Sequence, residues 1–343
     1  MKKKLYGTKI SFIIRTISAT QFQHDTSSHL TASICIQFEN NQLLPGLFGE
    51  QDLYLKRIEK DLGIETFIRG NKVVLSGEQE RIQKAEKILS TLYKKLEQGI
   101  DISISDVDAA IRMLKDKQGA KANILEPEVV IKTMNRLISP YSPRQQAYVK
   151  MLYDKEMAFA EGPAGTGKTY LGVAVAVSMF LNHRVERIIF SRPAVEAGEK
   201  IGFLPGDMKE KIDPYMQPLY DALHEMLPAD KIQKNIQNGI FEIAPLAFMR
   251  GRTLKNAFII LDEAQNATAM QMKMFLTRLG EGSRMVINGD LSQIDLPHNT
   301  TSGLSDAIHK LKHIPDIGFM AFDEGDVVRH NLVAKIVSAY QKP

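Results

Sequence analysis

The sequence predicts an α/β fold, a parallel sheet with helices on both faces, preceded by a small α+β unit. Three observations predict it. Strand and helix signals alternate from about residue 148 onward. A glycine-rich turn at 161–169 joins an apolar strand to a helix. The 343 residues suffice for about two domains at roughly 150 residues each. With 44% hydrophobic and 24% charged side chains, the chain is not a disordered charged tail. Lys+Arg number 44 against Asp+Glu 40, a net charge of +4 that permits a polyanionic partner without requiring one. The single cysteine, Cys35, excludes a disulfide scaffold and a zinc module, and fits a reducing compartment. No apolar run reaches the roughly 18 to 20 residues needed to span a bilayer. The expectation is a cytoplasmic protein with no membrane partner.

The elements follow in order. In 1–30, Lys2, Lys3, Lys4, Lys9 and Arg15 precede the first acid, Asp25, and the apolar stretch 10–14 is shorter than the roughly 7 to 15 residues of a secretory core. A flexible basic arm is expected, an organellar transit peptide being the competing reading. From 31 to 100, alternation over 33–38 predicts a strand, and Leu53, Ile58 and Leu62 share a helix face that Gly63 stops. Strands over 64–69 and 72–75 follow, joined at Gly70-Asn71. The next helix spans 78–98, with Ser76 and Gln79 at capping-box spacing and Lys94 and Lys95 at its basic end. Because Gly46-Leu47-Phe48-Gly49 opens the first helix, this region resembles a KH-type domain. Lys56, Arg57, Lys60, Arg69 and Lys72 then become candidate phosphate contacts, against a solvated face or a protein-only interface. Residues 101–130 are expected as a helical linker, with a helix over 105–118, a turn-rich stretch at 119–127 and the domain boundary there. The remainder, 131–343, forms the parallel-sheet domain, with strands over 157–160, 187–191, 241–244, 257–261, 284–288 and 318–322.

The chemistry starts at 161–169. Gly162-Pro163-Ala164-Gly165-Thr166-Gly167-Lys168-Thr169 fits G-x-x-x-x-G-K-[ST] between a strand and a helix, the context in which it forms a phosphate cradle. Glycines let the backbone approach a phosphate, and a helix N-terminus adds partial positive charge. Lys168 is assigned to the terminal phosphates and Thr169 to Mg²⁺. A second strand, 258–261, ends in Asp262-Glu263-Ala264-Gln265. Asp262 is assigned to Mg²⁺ and Glu263, turned elsewhere by strand alternation, to the attacking water. A third strand ends at Asn288-Gly289-Asp290-Leu291-Ser292-Gln293. Gln293 is a candidate for sensing the terminal phosphate or holding the water, and Asp290 reads as a turn cap. A solvated Asp-Glu pair and a plain turn are the competing readings.

On these motifs the sequence resembles the PhoH-like family, P-loop ATPases whose RecA-like core is similar to the first motor domain of superfamily-one helicases. Ser191-Arg192-Pro193-Ala194-Val195, Gly202-Phe203-Leu204-Pro205-Gly206 and Asp326-Val327-Val328-Arg329-His330 carry the match further. The resemblance implies ATP and Mg²⁺ as cofactors and RNA as a partner. It makes Gln145 a candidate adenine reader beside a stacking Tyr148, the alternative being a polar residue on a surface helix. It makes Arg192 a candidate contact to nucleotide or nucleic acid, and Arg329 a candidate sensor of the terminal phosphate. Some relatives carry a nuclease domain ahead of the ATPase, and the first 130 residues show no matching set of acids, so nuclease activity is not carried over. Because such motors use two cores and this chain has one P-loop, a homo-oligomer such as a ring is expected, with a neighbour's Arg250, Arg252 or Arg329 completing the site. The long connection 193–218 is expected to contact RNA or a partner. His298, His309 and His313 lack metal spacing and are expected at the surface. Two rivals remain open: a P-loop phosphotransferase, and a nucleotide-gated adaptor that recruits an RNA-processing enzyme with little turnover.

Overall fold

The computed structural model describes residues 31–115, 129–193, 208–297, 299–328, 333 and 336. The arm 1–30, the stretch 119–127, His298 and Arg329 lie outside the described residues, as does 194–207 within the long connection. The chain divides into two units, Met1–Ile124 and Leu125–Pro343.

The first unit runs β1 (Thr31–Gln37), α1 (Leu44–Phe48), α2 (Leu53–Leu62), β2 (Glu65–Arg69), β3 (Lys72–Glu78), α3 (Gln79–Glu97) and α4 (Ile104–Lys115). Its antiparallel sheet has the order β1-β3-β2. Alternate residues Ile34, Ile36, Val73 and Leu75 are buried with Ile82, Leu89 and Leu92 of α3, which is what period-2 strands against a period-3.6 helix require. Gly63 ends α2 at φ 64°, a conformation cheap only for glycine. Gly46-Leu47-Phe48, expected as a turn that opens the first helix, lie inside α1, which Gly49 ends at φ 73°, because Leu47 and Phe48 are buried in this core.

Two expectations are corrected here. Ser76 and Gln79 form no capping box: β3 continues through Ser76, paired with Ser33 and Glu65, and α3 starts after Glu78 without a side-chain cap. The helix expected in the linker is part of the first core. Val107 and Ile111 of α4 are buried among α2 and α3 side chains, Arg57 pairs with Asp108 at 2.7 Å, and Lys95 lies 3.6 Å from Asp106.

The second unit opens with the short pair β4 (Ile131–Lys132) and β5 (Leu137–Ile138), then α5 (Pro143–Asp154), β6 (Met157–Glu161), α6 (Lys168–Leu181) and β7 (Arg187–Arg192). It continues through α7 (Met208–Met226), α8 (Ala229–Gln237), β8 (Phe241–Pro245), β9 (Ala257–Leu261), α9 (Ala269–Leu276), β10 (Arg284–Gly289), α10 (Gly303–Leu311) and β11 (Ile317–Ala321). Six strands form a parallel sheet in the order β11-β6-β10-β9-β7-β8, each where the sequence places it. The strands are apolar on both faces because both are covered. Ala158, Ala160, Ile188, Phe190, Phe258 and Ile260 pack toward α5, α6 and α7. Phe159, Ile189, Ile259, Leu261, Met285 and Ile287 pack toward α9 and α10.

Register brings the strand ends level, with Gly289 opposite Glu161 and Ser191 opposite Leu261. The loops after β6, β7, β9 and β10 therefore emerge along one edge, where open parallel sheets bind ligands. The connection expected as a loop over 193–218 becomes helix from Met208, and Pro214 lies inside α7. Burial of Met216, Leu219, Leu223 and Met226 outweighs the local proline signal. Among the described residues no helix is long and apolar enough to cross a membrane.

The packing of α4 makes a testable claim. Ile111→Ala should destabilise the first unit by about 2 to 4 kcal/mol. Hydrogen exchange should then speed up in β1, β3 and α3 of the full chain, while β6 and β10 keep their protection.

Candidate nucleotide site

The loop between β6 and α6 owes its shape to glycines. Gly162 has φ 140°, and a Cβ there would sit 2.6 Å from the Phe322 carbonyl oxygen. Gly165 and Gly167 have φ 85° and 79°. Helix α6 starts at Lys168 behind Gly167 with no side chain capping its first amides, which leaves a helix N-terminus suited to an anion. The Lys168 ammonium is buried and donates to the carbonyl oxygens of Gly162 at 2.7 Å and Pro163 at 2.9 Å. Burial lowers its pKa, and Asp290, Asp262 and Glu263 oppose that shift.

At the end of β9, Asp262 is buried and accepts from the Thr169 hydroxyl at 2.6 Å. Burial raises its pKa, and the Thr169 hydrogen bond offsets part of the rise. Glu263 lies beyond the strand, which ends at Leu261, and adopts left-handed backbone at φ 52°. That turn, and not strand alternation, directs its side chain. Its Oε1 lies 3.2 Å from Nη2 of Arg192, and its Oε2 accepts from Gln265 at 2.7 Å. A cleft of about 440 Å³ is lined by Lys168, Thr169, Asp262, Glu263, Asp290 and Gln293, together with Asp221 and Glu225 of α7. The α7 wall carries no motif and was invisible to sequence reading.

Asp290 does more than cap a turn. It accepts from the Ser292 amide at 2.9 Å and hydroxyl at 2.6 Å, from Gln293 Nε2 at 2.8 Å, and from the Ala164 amide at 3.1 Å. The β10 turn is thereby tied to the P-loop, and the Gln293 amide is engaged with Asp290. Gln265 is the second hub that the motif alone did not reveal. Fully buried, it donates to Glu263 and to the Gln293 carbonyl and accepts from the Asp290 amide.

Gln145 is 3% exposed, which corrects the surface-helix alternative. Its amide accepts from the Tyr141 N–H at 2.5 Å and donates to the Thr166 carbonyl at 2.9 Å, bracing the P-loop from α5. Tyr148 is also fully buried, so it does not present a face for stacking on a base. Its hydroxyl donates to Asn288 at 2.9 Å, and its ring meets Phe322 edge-on. Arg252 forks onto Glu242 of the same chain, whereas Arg250 is exposed. His309 and His313 are exposed.

Among the described residues, no group of three or more His, Cys, Asp or Glu is placed to cage a metal. The hydroxyl of Thr169 and the carboxylate of Asp262 are hard oxygen donors, and together they fit Mg²⁺, which keeps several waters and takes few protein ligands.

A glycine cradle at a helix N-terminus, a buried lysine and a Thr-Asp pair at one edge of a parallel sheet define the P-loop NTPase class of fold. Residues 137–341 match the family described as PhoH-like protein. The chain belongs to that family. It is 50% identical over 297 residues to a PhoH-like protein of Bacillus subtilis (strain 168), covering 86% of this chain and 93% of the relative. It is 46% identical over 211 residues to Protein PhoH of Escherichia coli (strain K12), covering 60% of each. Among solved structures, the Pif1 helicase from Candida albicans gives a TM-score of 0.33 at 15% identity, over 57% of this chain and 42% of that one, a remote likeness.

Asp290 also sets a pH limit. Burial alone would raise its pKa, but the Ser292 hydrogen bonds, Lys168 and the Ala164 amide bring it below the usual carboxylate value. A carboxylate lowered on folding stabilises the protein above its unfolded pKa, and the contribution is lost as pH falls through the folded value. Melting temperatures measured from pH 2 to 7 should therefore drop below about pH 4. Asp290→Asn should lower the neutral-pH melting point and flatten that acid limb.

Proposed function

We propose that this protein binds ATP with Mg²⁺ in the cleft at the start of α6, hydrolyses it to ADP and phosphate, and couples turnover to single-stranded RNA in the cytoplasm. The observation that carries this reading is the convergence of Lys168, Thr169, Asp262 and Glu263 on one cleft. Lys168 and the α6 amides bind the phosphates and stabilise charge on the transferring phosphoryl group. Thr169 and Asp262 would hold Mg²⁺, which neutralises phosphate charge when bound. Glu263 orients a water in line with the terminal phosphorus and accepts its proton. Gln293 at the cleft edge is the candidate to report the phosphate, through its bond to Asp290.

The RNA half of the proposal is supported by the βααββα order of the first unit, in keeping with the KH-type resemblance, and by the basic side chains of α2 and β3. A homo-oligomer such as a ring would let a neighbour's arginine enter the cleft. Arg250, which is exposed, is the described candidate for this role, since Arg252 is held by Glu242.

One observation favours a second reading. Both Glu263 oxygens are engaged, by Arg192 and by Gln265, which suits a nucleotide-gated adaptor that turns over little and recruits an RNA-processing enzyme. Steady-state phosphate release with and without single-stranded RNA separates the two. Lys168→Ala should abolish nucleotide binding and turnover. Glu263→Gln should keep nucleotide binding and lower kcat about 10²- to 10⁴-fold, the range of a general base. Tight ATP binding with no turnover under either condition would establish the adaptor.

A further inference from the structure

We propose that Arg192 pins Glu263 in a resting position, and that a phosphate of single-stranded RNA releases it by taking the carboxylate's place on the guanidinium. The inference rests on the proposed role of Glu263 and on RNA as partner. Arg192 is the last residue of β7, and its Nη2 lies 3.2 Å from Glu263 Oε1. Gln265 holds the other oxygen at 2.7 Å. The carboxylate is thus anchored at both oxygens, on a left-handed residue uncommon for glutamate.

Geometry distinguishes the two members of the pair. Glu263 lines the nucleotide cleft and Arg192 does not. Lys168 and the α6 amides already serve a nucleotide's phosphates from inside the cleft. On that reading the phosphodiesters of the proposed RNA partner are the anions left to compete for the arginine. The pair is open to that competitor, with side-chain exposures of 24% for Arg192 and 36% for Glu263. A guanidinium fork accepts a carboxylate or a phosphodiester with the same geometry.

Movement of Glu263 has a path into the site. Gln265 links Glu263 to the Asp290 amide and the Gln293 carbonyl, and Asp290 holds the Ala164 amide of the P-loop. Exchange at Arg192 is thereby felt at the phosphate cradle.

Competition for one arginine is reciprocal, so Glu263 must weaken RNA binding as much as RNA weakens the ion pair. The test is anisotropy of a fluorescent single-stranded oligouridylate with the full chain, at low salt and without nucleotide. Glu263→Gln should tighten RNA binding about two- to fivefold, the range that exposed ion pairs supply. Arg192→Ala should weaken binding and erase the gain from Glu263→Gln, while Arg192→Lys should recover part of it. With ATP present, Arg192→Ala should raise RNA-independent kcat, leave KM for ATP unchanged and flatten RNA stimulation. Melting temperatures within a few degrees of the parent confirm folded variants.

The proposal is overturned if Glu263→Gln leaves RNA affinity unchanged, or if its gain persists without Arg192. A raised KM for ATP in Arg192→Ala with normal RNA affinity would give the arginine to the nucleotide's phosphate and also overturn it. Loss of this coupling leaves the ATPase reading intact, because that reading fails separately, through turnover insensitive to Lys168→Ala and Glu263→Gln.

Discussion

The second unit is organised around the uncapped N-terminus of α6. A helix start with no side chain on its first amides concentrates partial positive charge. To present that charge to a ligand, the preceding loop must turn back tightly, and only glycine fits Gly162, where any Cβ meets the Phe322 carbonyl. Lys168 folds into the same loop and adds a buried cation, which in turn requires nearby anions. Asp262, Glu263 and Asp290 meet that requirement from two other strands. Burying a charge without partners is costly, so the loop, the lysine and the acids form one electrostatic unit.

That unit is held from several directions. Gln145 braces the loop from α5, Asp290 from the β10 turn, and the Val328 amide donates to the Gly165 carbonyl at 2.9 Å from beyond β11. Asp326 accepts from Ser142 and Arg144, joining the segment after β11 to the start of α5. Each brace fixes a backbone group, the kind of support a phosphate cradle needs to hold its shape before the ligand arrives. Neighbouring strands in register make this possible, because β6, β10 and β11 end level with one another.

The first unit follows a simpler logic. Its sheet buries one face of β1 and β3, which α3 covers, and α4 packs in turn on α2 and α3. Without α4 the unit would lose Val107 and Ile111 from its core, which is why this stretch is packed helix instead of spacer. The Gly46–Gly49 segment that suggested nucleic-acid contact is helical through Phe48 and places Leu47 and Phe48 inward.

Elements whose signal is local were legible in the sequence. All six parallel strands, the P-loop, α6, and the Asp262-Glu263 pair at a strand end follow from apolar runs, glycines and spacing, because a strand covered on both faces must be apolar throughout. Interactions between segments distant in sequence were not. Ser76 satisfies a capping rule, but pairing with Ser33 and Glu65 makes it strand. Pro214 reads as loop, yet burial of the α7 face makes it helix. Nothing local tells that Gln145 is buried and tied to Thr166, or that Tyr148 is enclosed with its hydroxyl on Asn288 instead of presenting a face for stacking. The sequence by itself determined which residues are the candidates for the chemistry, since phosphate and metal restrict residue type. Only the tertiary structure decided how they are held, because Asp290, Gln265 and Arg192 find their partners across strands that meet only when the sheet forms.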